Sequence, residues 1–219
     1  MKYTRIVPVF FAITALSLAG CETASVERPA GFLRDYSVLN EGTFFKQQFV
    51  ARDADFSKYR SVKVVPVNFD YLMDKTVADP GDLEDLGRAF RKDIEKALAE
   101  KGFKVTQYPT KGTLILAVAV TDIEIPDRVF NAAKSLAPYG IGFIPTDTNG
   151  RTAFEGKFID AETGRTVIEV AEKQSGSGSQ INIKAMAIGG YMKFVNAEAC
   201  FNGWSKQLAA MLDELKKQR

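Results

Sequence analysis

Few side chains in this sequence are equipped for chemistry, and they stand far apart. There are two thiols, Cys21 and Cys200, and no histidine in 219 residues. Lack of histidine removes the commonest general base and the commonest metal ligand near neutral pH. It excludes Ser-His-Asp and Cys-His catalysis within the chain. Asp122, Glu124 and Asp127 crowd the end of a predicted strand, where paired carboxylates could do acid–base work or hold a hard cation. No Asp-rich loop of EF-hand spacing surrounds them, so the expectation is a solvated strand end. Cys200 falls on a predicted apolar helix stripe, where a thiol behaves as a small, inert hydrophobe. The glycines around Gly178 match neither Gly-x-x-x-x-Gly-Lys-Ser/Thr nor Gly-x-Gly-x-x-Gly, so no phosphate site is assigned. These residues point to no catalytic centre, no metal and no cofactor.

Cys21 stands in a different context. Lys2 and Arg5 precede an apolar run from Ile6 to Leu18, which closes on Leu18-Ala19-Gly20-Cys21. A basic start, a short apolar middle and small residues before a break read as a secretory signal. The apolar run holds 13 residues, including Pro8 and Thr14, against the roughly 20 needed to cross a bilayer. Leu-Ala-Gly-Cys resembles a bacterial lipobox. That resemblance implies cleavage between Gly20 and Cys21, a diacylglycerol on the thiol and a third acyl chain on the new amino terminus. Two or more chains anchor stably where one is marginal. In bacterial lipoproteins Asp after the modified cysteine favours the inner membrane. Glu22 in that place points to the periplasmic face of the outer membrane.

Composition narrows the remainder. The leader holds two of the 29 basic residues and none of the 27 acidic ones, leaving 27 of each sign. No basic surplus is left to neutralise phosphates, so nucleic acid is not an expected partner. With Cys21 acylated, Cys200 has no partner for an intramolecular disulfide, and the fold must hold by packing.

The elements that would position these residues read as follows. Residues 1–20 are the signal, 21–30 the lipidated cysteine and its tether, and 31–219 one α+β domain. Nine tether residues, Glu22 to Ala30, reach at most about 31 Å. Gly31 to Asn40 reads as an arm whose Phe32, Leu33, Tyr36 and Leu39 dock on the body. Ser61 to Asn68 is a strand, with Pro66 hinting at an edge or a strand end. A helix follows, with Asp79 as N-cap, Pro80 at N1, Gly102 at C′, and Leu83, Leu86, Phe90, Ile94, Ala97 and Leu98 in one stripe. Further strands are expected at 103–107, 113–125, 151–160 and 165–173. In the longest of these, Leu114, Leu116, Val118 and Val120 take one face, and Ile115, Ala117, Ala119 and Ile123 the other. Gly164 serves the hairpin turn, 174–180 is a loop, and a second helix starts near Asn196. The order β-α-β-β-β-β-α predicts an α+β fold: a mostly antiparallel sheet of about five strands with two packed helices.

Several segments together resemble one family. They are GFLRDYSVL (31–39), DFSKYRSVKVVPV (55–67), AFRKDIEKAL (89–98), FEGKFIDAETGRTV (154–167) and FNGWSKQLAAML (201–212). In that order behind the lipobox, they are similar to bacterial lipoproteins known only as a domain of unknown function, the DUF3313-like group. The resemblance spans most of 31–215 and implies address and fold rather than an activity.

The expected function is non-enzymatic: a membrane-anchored lipoprotein binding another envelope component or assisting envelope assembly. Recognition would use an exposed sheet edge or the apolar stretch 134–145, where Tyr139, Ile141 and Phe143 stand among glycines and prolines. Two alternatives are a carrier of a small apolar ligand or lipid, and an enzyme acting on envelope glycans through carboxylates alone.

Overall fold

The computed structural model describes residues 29–75, 77–123, 151–175 and 194–218. Six strands form one open sheet: β1 (Gln47–Val50), β2 (Ser61–Val64), β3 (Lys104–Val105), β4 (Thr113–Ile123), β5 (Arg151–Asp160) and β6 (Thr166–Ser175). Two helices, α1 (Pro80–Glu100) and α2 (Val195–Lys217), pack against each other and on one face of the sheet. None of the described helices is long and apolar enough to cross a membrane.

The strand order is β1-β6-β5-β4-β2-β3. β1, β6, β5 and β4 pair antiparallel in succession, whereas β2 runs parallel to both β3 and β4. The sheet is therefore mixed, not mostly antiparallel, and among the described residues it has six strands where the sequence predicts about five. The cause is the crossover through α1, which returns the chain to the starting end of the sheet so that β3 lies parallel to β2. Pro66 lies beyond the last residue of an interior strand, which settles the earlier alternative in favour of a strand end.

Local signals set the ends of α1. Pro80 occupies N1, and the Asp79 carbonyl accepts from the Leu83 amide, but the Asp79 side chain makes no capping bond. At the other end Gly102 has φ +80°, its amide donates to Ala99 O and the Phe103 amide donates to Leu98 O. These two bonds make a Schellman ending, and only glycine enters its left-handed position without strain. Phe103 is then buried and leads directly into β3. Gly164, at φ +71°, gives the β5–β6 turn the same freedom.

The core lies between the sheet and the helices. Leu86, Phe90, Ile94, Ala97 and Leu98 of α1 meet Phe201, Trp204, Leu208, Met211 and Leu212 of α2 over Leu114, Leu116, Val118 and Val120 of β4. Phe154 of β5 is its centre. Its ring lies 4.5 Å from Trp204, 5.6 Å from Phe45 and 6.2 Å from Phe90, and Phe90 stacks on Phe201 at 4.1 Å.

β4 departs from the simple alternation near its end. The register shifts between Val120 and Asp122, so Asp122 pairs with Ala153 and Ile123 with Thr152. This bulge turns Ile123 over into the helix-side core and sends Asp122 to the opposite face. Asp122 is buried there, with its carboxylate 3.9 Å from Arg151, and is not the solvated strand end expected from alternation. Residues 174 and 175 continue β6 instead of starting a loop.

Truncating Phe154 to Ala removes the ring that four others surround directly or through one neighbour. The expected loss is about 3–5 kcal/mol, read as a lower urea midpoint with an unchanged slope.

Candidate functional site

Most residues singled out in the sequence lie outside the described residues. This holds for Gly20 and Cys21, for Glu124 and Asp127, and for Tyr139, Ile141 and Phe143. The boundaries of their segments are placed, however. Ile123 pairs with Thr152, and Arg151 pairs with Ser175. The stretch 124–150 therefore leaves and rejoins the described fold at one end of the sheet, and 176–193 departs from the same end. Cys200 itself is half-buried against the core, and burial pushes its thiol pKa up, which suppresses the reactive thiolate.

The two sheet edges offer little to a partner strand. β3 has two residues, and on β1 the outward amide and carbonyl of Gln48 are both taken by Asn40. Recognition through an exposed edge, one of the two modes expected from the sequence, is disfavoured by this arrangement.

The face of the sheet opposite the helices carries the densest polar chemistry. β5 reads Phe154-Glu155-Gly156-Lys157-Phe158, so its two-residue period sends the rings to the helices and the charges to the other side. Glu155 and Glu169 are 2% and 4% exposed. Lys157 pairs in register with Glu169 on β6, and Glu155 with Ala171. What buries them is the segment 30–39, crossing that face.

Glu155 holds the segment at three points. Its Oε1 accepts from the Ala30 amide at 3.2 Å, and its Oε2 from the Leu33 amide at 3.3 Å and the Tyr36 hydroxyl at 2.7 Å. The Tyr36 oxygen in turn accepts from the Gly31 amide at 2.6 Å. Lys157 Nζ donates to Phe32 O at 2.9 Å and lies 4.2 Å from the centre of the Phe32 ring. Glu169 Oε1 accepts from the Arg34 amide at 3.3 Å. Burial and the bond to Glu155 push the Tyr36 pKa up to about 12, so this hydroxyl stays a donor throughout the physiological range. Burial pushes the Glu169 carboxyl up, against the pull of the Arg34 amide and Lys157. Leu33 and Leu39 are buried with Ala171, and Phe32, Tyr36 and Phe49 pack round them as a second, small apolar cluster. Gln47, on the same face and opposite Ala171, has its Oε1 buried without a hydrogen-bond partner among the described residues. An acceptor left in that state costs about 1–3 kcal/mol.

A second polar cluster pins the far end of β5. Asp160 is 4% exposed and accepts from Lys58 Nζ at 2.8 Å, Tyr59 OH at 2.7 Å, and the amides of Glu162 and Thr163 at 2.8 and 3.1 Å. Burial alone would raise its pKa. The ammonium, the hydroxyl and the two amides outweigh burial and hold the carboxyl well below the usual carboxylate range. Every acceptor position is in use, so this carboxylate is a staple between the 56–58 turn and the β5–β6 hairpin rather than a free base.

Chemically, then, the described carboxylates with buried side chains are engaged in internal bonds. Among the described residues no three His, Cys, Asp or Glu side chains converge as a metal site would need. Sequence reasoning missed the Glu155–Lys157–Glu169 face, although charged residues at alternate places inside strongly apolar strands were its visible signal.

Two pH predictions of opposite sign follow. The depressed carboxyl of Asp160 gives stability that is present above pH 4 and lost as pH falls through its folded-state value. Asp160→Ala should cost about 3 kcal/mol at pH 7, because it strands Tyr59 and two amides, with the gap to wild type narrowing in acid. The raised carboxyl of Glu169 makes the folded chain hold more protons than the unfolded one just above pH 4, so stability falls as pH rises through that window. Glu169→Gln should raise the thermal midpoint by about 2 °C at pH 8 and by nothing at pH 4, in calorimetry.

The chain resembles lipoproteins on comparison with other proteins. The uncharacterized lipoprotein YdcL of Escherichia coli K12 is 27% identical over 236 residues, covering 99% of this chain and all of that one. Among solved structures, PelC from Paraburkholderia phytofirmans superposes with a TM-score of 0.41 at 12% identity, over 78% of this chain and 96% of that one. A minor lipoprotein from Acinetobacter baumannii gives 0.37 at 10% identity, over 71% and 94%. None of these names is that of an enzyme. The model of the family described as protein of unknown function DUF3313 matches residues 28–208, and with that span matched the chain belongs to this family.

Proposed function

We propose that this protein is a lipid-anchored lipoprotein of the bacterial envelope that works by binding, without catalysis. Cys21 carries the acyl chains after cleavage behind Gly20, and Glu22 directs the product to the periplasmic face of the outer membrane. The partner is another envelope component. It is met by the sheet end from which 124–150 and 176–193 depart, with Tyr139, Ile141 and Phe143 as contact residues.

The observation that carries this reading is the convergence of those two departures at one sheet end, Ile123 and Arg151 beside Ser175 and Thr152. Two glycine-containing stretches with apolar residues thus depart from one end of the sheet, and binding residues are commonly carried on segments that issue from such a scaffold. Its counterpart, among the described residues, is the use of Glu155, Glu169 and Asp160 in internal bonds, so these acids are not free for the paired acid–base work of a glycosidase.

Cys21→Ser tests the anchor. Cells fed labelled palmitate should label the wild type and not the variant, and the variant should move to the soluble fraction. Retention of label on the variant would overturn the assignment. Photo-reactive residues at Tyr139, Phe143 and Gln180 test the binding end in living cells. A discrete protein or glycan adduct is the expected result; adducts to lipid alone would replace this reading with a ligand carrier.

A further inference from the structure

Residues 30–39 lie between the membrane anchor and the body of the fold, and their hold on the sheet is largely polar. We propose that this arm is a releasable strap: docked, it holds the domain close to the membrane, and released, it becomes additional tether. The proposal rests on the anchoring of Cys21 argued above.

Four observations carry it. The buried apolar residues of the arm, Leu33 and Leu39 with Ala171, form a small cluster whose buried members are separate from those of the main core, the two meeting through half-buried Phe49, and Phe32 adds an edge-on contact with Tyr71 at 5.3 Å. Undocking therefore exposes few large apolar side chains and takes none of the buried residues around Phe154 with it. The hold itself is polar: Glu155 and Glu169 grip main-chain amides at 3.2–3.3 Å, and the short bonds come only from Tyr36 and Lys157. Carboxylates on amides are contacts that water replaces readily once the arm lifts. The face beneath is Glu155, Lys157, Glu169 and Gln47 among Ala119, Ala153 and Ala171, a surface that tolerates wetting. Gln47 Oε1, buried without a hydrogen-bond partner among the described residues, would gain one from water once the arm lifts. Finally, the fixed end is defined, since Asn40 exchanges two main-chain bonds with Gln48, at 3.0 and 2.8 Å, and makes a hinge.

The geometry gives the strap a consequence in length. From Cys21 to Pro29 the extended chain spans about 28 Å, and from Cys21 to the hinge at Asn40 about 66 Å. Release thus more than doubles the greatest distance at which the domain can meet a partner. A pull between membrane and domain loads the arm first, because the arm lies nearest the anchor. Elements whose opening is cheaper than global unfolding are those with few buried apolar contacts, as here.

Hydrogen exchange on the full-length lipidated protein in detergent reads the opening directly. The amides of Ala30, Leu33 and Arg34, which donate to the two glutamates, should exchange at least 100-fold faster than the β5 amide of Phe158. Glu155→Gln and Tyr36→Phe should each speed the arm about tenfold further and leave Phe158 unchanged. Arm amides as slow as Phe158, or acceleration of both together in either variant, would show that the arm opens only with the whole fold and would overturn the proposal. With a dye at Tyr108→Cys, on a fully exposed loop, and an acceptor dye in vesicles, Glu155→Gln should lower energy transfer; unchanged transfer would overturn the change of reach. The mass of the N-terminal peptide reports acylation independently. An unacylated Cys21 would sink the anchor, while arm exchange would still be judged on its own.

Discussion

The two-residue period of β5 is the constraint on which the remaining contacts depend. One face of the strand presents Phe154 and Phe158 to the helices, and the other presents Glu155 and Lys157 to the arm. A one-residue slip would drive two charges into the aromatic cluster and two rings onto the arm. Long antiparallel pairing on both sides, with β4 and β6, fixes that register. Gly156 lies between these residues and its site is crowded: a Cβ there would lie 3.1 Å from Val170 and 3.4 Å from the Phe154 ring. The strand thus serves as a partition between an apolar layer and a polar one.

Those layers are stabilised differently. Between sheet and helices, burial of large side chains is non-directional and tolerant of small shifts. Beneath the arm and at Asp160, hydrogen bonds to ionised groups dominate, and their geometry is directional. The directional bonds join segments distant in sequence: Ala30 to Glu155, Arg34 to Glu169, and Tyr59 to Asp160. Apolar packing supplies bulk stability, while the buried charges specify which irregular segment lies where.

Much of the layout was legible in the sequence where the signals were local. Pro80 and Gly102 bracketed α1 because each acts on its own backbone angles, and Gly164 marked the hairpin for the same reason. The second helix expected from near Asn196 is α2, and the apolar stripe that carries Cys200 faces the core with Phe201, Trp204 and Leu208. What escaped was set by distant partners. Gln47-Gln48-Phe49-Val50 has no strand signature of its own and is a strand because β6 pairs with it. The parallel sense of β2 depends on a crossover that strand propensities do not encode. The bulge at Thr121 put Ile123 on the face opposite to the one alternation assigns it, a local break in period that the residue types do not announce. The cover over the glutamates of β5 and β6 left no local signal, since alternation reveals which side is polar but not whether another segment covers it.

The pairing of β1 with β6 has a consequence for how the chain acquires its structure. Gln47 meets Ala171, and Leu33 meets Glu155, across more than a hundred intervening residues. A chain made from its amino terminus must extend almost to its last helix before the first strand or the arm has anything to bind. Such non-local closure slows folding and prolongs exposure of Phe44, Phe45 and Phe49. The arm and β1 are therefore among the last described segments to find their native partners, and until then their apolar side chains stay open to other contacts.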